Sequence, residues 1–178
     1  MNAAKIIFAS GMALAVCACT TTTSQSVQNL GSAAILDANG EKIGSARLLA
    51  IGDTVSITAT VSGLAPGLHG FHLHETSQCR APDFQSAGGH LNPFGASHGL
   101  ESPDGAHLGD LTNLEVSADG TGSIASGLDG PRADVTTAIF DSDGTSVVIH
   151  AKADDYRTDP SGAAGSRIAC GVIAAPQR

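Results

Sequence analysis

Tryptophan is absent from this chain of 178 residues, and tyrosine occurs only once. Aromatic residues make up 3% of the sequence, whereas glycine occurs 22 times. Without large aromatic side chains, a core has to be built from valine, isoleucine, leucine and alanine, with many tight turns between short segments. The composition therefore favours one globular domain of short strands over a bundle of long helices.

Basic residues are also scarce. Nine Lys and Arg stand against 17 Asp and Glu, which gives a formal net charge of -8 at pH 7. A surface that binds nucleic acid needs clustered basic side chains that neutralise phosphates. The charge balance therefore argues against nucleic acid as a partner, although it carries no information about the fold.

The apolar stretch at residues 6–16 is too short to span a bilayer. It follows Lys5, and together these features predict an export leader over residues 1–18. The letters Val-Cys-Ala-Cys at its end resemble the lipobox of bacterial lipoproteins, which predicts Cys19 as a lipidated first residue. Conventional cleavage after Ala18 is the alternative. We expect export to the periplasm, with membrane anchoring if Cys19 is lipidated.

Residues 19–30 are rich in Thr, Ser and Gln and lack apolar periodicity, which predicts a flexible tether before a domain spanning 31–178. Beyond the leader and Cys19, the chain holds only Cys79 and Cys170. In an oxidising compartment we expect these two to form a disulfide. The bond would close a loop of about 90 residues, for which the chain-entropy model predicts about 4–5 kcal/mol. Two buried free thiols are the alternative.

Apolar and hydroxyl residues alternate over 54–61, which is typical of a strand with one face in the core, and Asn39-Gly40 predicts a two-residue hairpin turn. Similar patterns give eight predicted strands, at 33–36, 43–51, 54–61, 69–75, 111–116, 122–125, 146–150 and 168–173. No segment has a helical period, and 135–140 fits either a strand or a wide connection. We therefore expect an all-β, eight-stranded antiparallel Greek-key barrel or sandwich. Residues 76–109 and 151–165 would form two long functional loops.

All seven histidines of the chain lie between positions 69 and 150. Imidazole is a common ligand of copper and zinc, and a carboxylate can complete a zinc shell. The candidate ligands are His69, His72, His74, His90, His98, His107, His150 and Asp110. We infer from their number and spacing that the chain binds two metal ions.

Two groups of ligands can be distinguished. His72 and His74 share one face of a predicted strand, so one ion can accept both, and His150 can join them across a sheet. A His-x-His pair alone is a weak signal. The second group lies on a segment rich in glycine and proline that can fold round an ion; its members are His90, His98, His107 and Asp110. Three imidazoles and one carboxylate fill a closed, tetrahedral zinc shell.

Five separated segments resemble the bacterial copper/zinc superoxide dismutases. They are 67–74 (GLHGFHLH), 88–93 (GGHLNP), 107–110 (HLGD), 148–150 (VIH) and 165–173 (GSRIACGVI). The resemblance implies a sandwich or barrel with copper held by His72, His74, His90 and His150, and zinc held by His90, His98, His107 and Asp110. It also implies that His90 bridges the metals, and that two superoxide ions become dioxygen and hydrogen peroxide as copper alternates between Cu(II) and Cu(I).

The resemblance further implies a catalytic role for Arg167, a cation that attracts the anionic substrate. Asp154 would accept hydrogen bonds from one ligand of each metal, His72 and His98. A disulfide between Cys79 and Cys170 would hold the arginine in place. On a chain of net charge -8 a locally positive channel is needed, to which Lys152 and Arg157 are further candidates.

His69 fits a core histidine bonded to backbone rather than a ligand. The segment between Cys79 and His90 is longer than in eukaryotic members of the family. This difference alters the surface near the usual dimer contact, so the question of a homodimer stays open. A copper/zinc carrier without turnover is the alternative function. A zinc hydrolase would need an open zinc position, which four protein ligands do not leave.

Overall fold

A computed structural model describes residues 25–177, so the predicted leader, Cys19 and the start of the predicted tether lie outside the described residues. Within 25–177 the chain forms nine strands, one α-helix and a short 3-10 helix at Gln85–Ala87. The strands are β1 Val27–Asp37, β2 Lys42–Ile51, β3 Thr54–Val61, β4 Gly67–His69, β5 Phe71–His74, β6 Leu114–Val116, β7 Gly122–Leu128, β8 Ser146–His150 and β9 Arg167–Val172. The helix, α1, spans Arg132–Ile139.

The strands form one antiparallel sheet in the order β4-β6-β7-β3-β2-β1-β9-β8-β5. Its two outermost strands, β4 and β5, are consecutive in the chain and separated only by Gly70. The sheet therefore curls into a nearly closed barrel, which leaves little free edge. The predicted all-β antiparallel barrel is confirmed.

The ninth strand arises because the single strand predicted at 69–75 is divided at Gly70. The amide of Gly70 donates to the carbonyl of Lys152 at 2.7 Å, and its own carbonyl accepts from the amide of His150 at 2.9 Å. A Cβ at this position would come within 2.9 Å of the side chain of Ala164. The absence of a side chain thus lets the chain change partners here, from β6 to β8.

The barrel interior is filled by aliphatic side chains, as the composition predicts. The alternating residues of β3 are buried as expected; they are Val55, Ile57, Ala59 and Val61. On β5, Phe71 and Leu73 belong to the same core cluster, so the two histidines between and after them lie on the opposite face of the strand. Strand alternation therefore delivers both imidazoles to one side of the barrel wall.

Several sequence-based assignments need correction. The segment predicted to be a strand or a connection forms α1, and the expectation of no helix is wrong. Only Val135 and Ile139 of α1 are buried, so its apolar period is too short to recognise in the sequence. Residues 27–30, assigned to the tether, belong to β1, and the strand predicted to begin at position 111 begins at Leu114. Within the described residues there is no helix that could cross a membrane.

A disulfide joins Cys79 to Cys170, as predicted. It ties the long segment between β5 and β6 to β9, and a small group of buried side chains outside the main core packs around it. That group consists of Phe84, Ala87, Val148 and Cys170, with Cys79 packed against it. The first long loop is therefore fixed to the barrel wall within β9, three residues after Arg167.

Candidate metal centre

Two groups of buried ligand atoms lie on one side of the barrel. The first cluster consists of His72, His74, His90 and His150, and the second cluster of His90, His98, His107 and Asp110. Within each cluster the ligand atoms lie within 4.8 Å of one another. The structure thus brings together the two ligand sets that the sequence analysis assigned, and His90 belongs to both.

Strand geometry assembles the first cluster. His72 and His74 extend from β5, His150 ends the neighbouring β8, and an isolated antiparallel bridge joins His74 to His90. One ring nitrogen of each histidine is buried without a hydrogen-bond partner, namely Nδ1 of His72 and Nε2 of His74, His90 and His150. Unpartnered polar atoms are rare in a protein interior. Four of them within one cluster of ligand atoms fit a bound transition-metal ion that accepts nitrogen ligands.

The remaining nitrogen of each of these rings has a partner. Nε2 of His72 lies 2.7 Å from Oδ2 of Asp154, and Nδ1 of His74 and of His150 lie 3.0 and 3.2 Å from the carbonyls of Gly88 and Gly165. An imidazole N–H that donates to such an acceptor leaves the other nitrogen free to bind a metal. These contacts therefore fix both the tautomer and the orientation of the rings.

Burial favours the neutral form of three rings in the first cluster, those of His74, His90 and His150. It is the largest cause of a lowered pKa at His90, to about 4, and at His150, to about 3. Burial also lowers the pKa of His74 well below 6.5, with further contributions from His90 and Arg167. Because a metal binds the neutral imidazole, the unpartnered nitrogen of each of these rings can bind an ion at neutral pH without first losing a proton of its own.

The second cluster converges on one oxygen atom. Oδ1 of Asp110 lies 2.7 Å from Nδ1 of His90, 3.0 Å from Nδ1 of His98 and 3.2 Å from Nδ1 of His107. The other oxygen, Oδ2, accepts from the amides of Gly99 and His107. Burial opposes the charge of Asp110, but the hydrogen bonds outweigh it and hold its pKa below the usual 3.8. Three imidazoles round one ionised carboxylate fit a tetrahedral zinc ion.

Asp154 connects the two clusters. Its Oδ2 pairs with Nε2 of His72, and its Oδ1 lies 3.1 Å from Nε2 of His98. The predicted contacts of this carboxylate are therefore present. Burial opposes the charge on His98, but its hydrogen bonds to Asp110 and Asp154 outweigh this effect and raise its pKa to about 9.

Sequence reasoning missed the residue that holds Asp154. The side chain of Asn113 donates from Nδ2 to the Asp154 carbonyl at 2.9 Å and accepts from the Asp154 amide at 2.8 Å. The amide of Asn113 in turn donates to the hydroxyl of Tyr156. No sequence motif marks this asparagine, because its role depends on a loop that begins about 40 positions later in the chain.

Arg167 stands in a cavity of about 540 Å³ that opens onto the clusters. Its guanidinium donates to the carbonyl of Phe84 at 2.8 Å and to that of Gly88 at 2.6 Å. Among the described residues that line this cavity it is the one Lys or Arg. Lys152 and Arg157, the other candidates for a positive field, do not line it, and Arg157 pairs with Glu101.

His69 joins neither cluster. Its Nδ1 lies 2.8 Å from the carbonyl of His150 and its Nε2 lies 2.9 Å from that of Ala65. The residue is buried, which agrees with the prediction of a core histidine bonded to backbone.

Comparison with known proteins agrees with this geometry. Residues 20–173 match the family model for copper/zinc superoxide dismutase. The chain is 42% identical over 144 residues to a copper/zinc superoxide dismutase of Aquifex aeolicus, covering 78% of this chain and 84% of the relative. A copper/zinc superoxide dismutase of Caulobacter vibrioides is 40% identical over 146 residues, covering 80% and 84%.

A solved structure of a superoxide dismutase-like protein from Bacillus subtilis superposes with a TM-score of 0.74 at 36% identity, covering 83% of this chain and all of that one, 100%. The fold, the paired ligand clusters and these similarities lead to one conclusion: the chain belongs to the copper/zinc superoxide dismutase family.

Proposed function

We propose that this protein is a superoxide dismutase that binds copper in the first cluster and zinc in the second. The observation that carries the proposal is the set of four buried, unpartnered ring nitrogens beside a cavity that also contains Arg167. Copper, when bound, supplies one-electron chemistry in both directions, and zinc, which is redox-silent, stabilises the second cluster. The chain supplies binding, orientation and a local field.

His90 has the central part in this proposal. Its Nδ1 faces the second cluster and its Nε2 faces the first, so one ring can serve both ions as a bridge. Losing both ring protons is unfavourable in water, but two cations acting on one ring make it accessible. Since His90 also lines the cavity, its Nε2 could take up a proton there whenever that nitrogen is not bound to an ion.

Arg167 attracts and orients the anion in this proposal. A chain of net charge -8 repels superoxide at long range, so a cation within the cavity is needed to favour its approach. Two backbone carbonyls hold the guanidinium, which limits its freedom and keeps its charge at the cavity. Asp154, clamped by Asn113, would keep the rings of His72 and His98 in their binding orientations.

A carrier that stores both metals without turnover is the second candidate. A carrier has no need of a cation fixed over an open cavity, so Arg167 favours the enzyme. The decisive experiment combines metal analysis of the purified protein with a superoxide decay assay, with and without cyanide, which blocks open copper. We expect copper and zinc in equal amounts and a cyanide-sensitive rate; a fully metallated protein without activity would establish the carrier.

We also propose that residues 1–18 are an export leader, that the protein works in the periplasm, and that Cys19 carries a lipid anchor on a tether ending near position 26. The composition of residues 1–30 supports this proposal. The mass of the mature N-terminal peptide tests it, because an unlipidated Cys19 contradicts the anchor. Sedimentation of the purified domain will decide whether a homodimer forms.

A further inference from the structure

Glu75 has an unexpected location for an acidic residue. It directly follows β5, and its exposed side chain lines the same cavity as Arg167. A negative charge in a cavity that admits an anion opposes the approach of that anion. The same carboxylate, however, makes hydrogen-bonded contacts with the first long loop.

Those contacts clamp one residue of the first long loop. The carboxylate oxygen Oε1 of Glu75 accepts a hydrogen bond from the amide of Gly89 at 2.8 Å, and the amide of Glu75 donates to the carbonyl of Gly89 at 3.0 Å. Gly89 immediately precedes His90 in the chain. Glu75 therefore fixes both backbone groups of the residue next to the proposed bridging ligand.

The neighbouring Gly88 strengthens this arrangement. Its φ is +76°, and a Cβ there would come within 2.7 Å of Oε1 of Glu75, so the carboxylate packs closely on a backbone that only glycine suits. The carbonyl of Gly88 accepts from both Arg167 and Nδ1 of His74. The Gly88–Gly89 segment thus carries contacts to the arginine, to one ligand of the first cluster and to the bridging ligand.

We propose that Glu75 is a positioning residue with two opposing effects: its Oε1 holds the segment before His90 in place, and its negative charge slows the approach of superoxide. The inference rests on the proposed dismutase function. The two effects are separable, because the amide oxygen of glutamine can accept the same hydrogen bond without the charge. The carboxylate makes the stronger bond, which is a physical reason for its presence despite the repulsion.

The effect of the charge can be bounded. Two unit charges within about 8 Å of each other, inside one Debye length in water, interact strongly enough to change an encounter rate about twofold. We therefore expect Glu75→Gln to raise kcat/KM about twofold at low ionic strength and to lose this advantage in high salt. The matched control is Glu115→Gln, which changes the net charge by the same amount on β6, where the residue is exposed and does not line this cavity.

The effect of the hydrogen bond from Gly89 to Glu75 is measured without metals, through amide hydrogen exchange of Gly89 in the metal-free protein. We expect Glu75→Gln to keep the amide protected and Glu75→Ala to accelerate its exchange about tenfold, as the loss of one net hydrogen bond implies. Glu75→Ala should also be slower in catalysis than Glu75→Gln, although both lack the charge.

The outcomes separate the parts of the proposal. Equal kcat/KM for wild type and Glu75→Gln, or an equal rise in Glu115→Gln, would overturn the effect of the charge. An unchanged exchange rate of the Gly89 amide in Glu75→Ala would overturn the positioning role of Glu75. A wild-type protein that binds both metals but does not consume superoxide would overturn the proposed function. The exchange measurement would still test whether Glu75 holds the segment before His90.

Discussion

His90 places its Nδ1 2.7 Å from Oδ1 of Asp110 and leaves its Nε2 buried without a partner. One nitrogen of the ring is thus committed to the second cluster and the other to the first. The two clusters cannot be treated as independent sites, because any ion bound in one acts on a ligand of the other.

Removing one ligand from each cluster in turn should separate the two metals. His150 belongs only to the first cluster and His107 only to the second. We expect His150→Ala to lose copper and activity while it keeps zinc, and His107→Ala to lose zinc first. Metal analysis of both variants after dialysis checks this. Full activity in His150→Ala would contradict the assignment of copper to the first cluster.

Reversing the charge at Arg167 should slow the reaction without emptying the metal sites. We expect Arg167→Glu to reduce kcat/KM by roughly tenfold or more and to abolish the slowing that salt causes in the wild type. Arg47→Glu, on the exposed face of β2, makes the same change in net charge at a residue that does not line the cavity and serves as the control. Equal kinetics of wild type and Arg167→Glu would remove the arginine from the mechanism.

The disulfide should affect both stability and rate. It joins residues 91 positions apart, and it ties the loop that contains Phe84 to β9, which begins with Arg167. We expect the double variant Cys79→Ser/Cys170→Ser to lose up to about 4 kcal/mol of unfolding free energy. Its rate should also fall, because Phe84 no longer holds the guanidinium firmly. Unchanged denaturation and kinetics would show that the bond stabilises neither the fold nor the arginine.

The metal-free protein should be most stable near pH 6.5. Below that pH the unfolded chain takes up protons on His90 and His150, whereas burial keeps their pKa values in the folded state at about 4 and about 3. Folding is therefore progressively disfavoured as the pH falls. Above pH 6.5 the unfolded chain loses the proton of His98, while the folded state retains it up to a pKa of about 9. That contribution to stability disappears as the pH rises through 9.

Zinc should stabilise the folded protein and change both sides of this profile, because the stabilisation is lost at low pH as its ligands take up protons. An ion bound to Nδ1 of His98 removes the raised pKa on which the alkaline decline depends. Thermal unfolding measured across pH with and without zinc checks the prediction. Identical alkaline limbs in the two series would contradict the placement of His98 in the zinc site.

The predictable parts of the site depend on the two-residue alternation of strands and on the number of cysteines in the domain. Strand alternation places His72 and His74 on one face, and two cysteines in the domain leave one pairing. The partner change at Gly70 and the helix α1 depend instead on packing between segments distant in the chain. The clamp of Asn113 on Asp154, and the failure of Lys152 and Arg157 to reach the cavity, are set by loop conformation, which no period in the sequence encodes.

The most direct test of the account is a crystal structure of the fully metallated protein, with anomalous scattering recorded at the copper and zinc absorption edges. The account predicts copper at Nε2 of His90 and zinc at its Nδ1, with one imidazole between them. Two ions that do not share His90, or one occupied cluster beside an empty one, would contradict it.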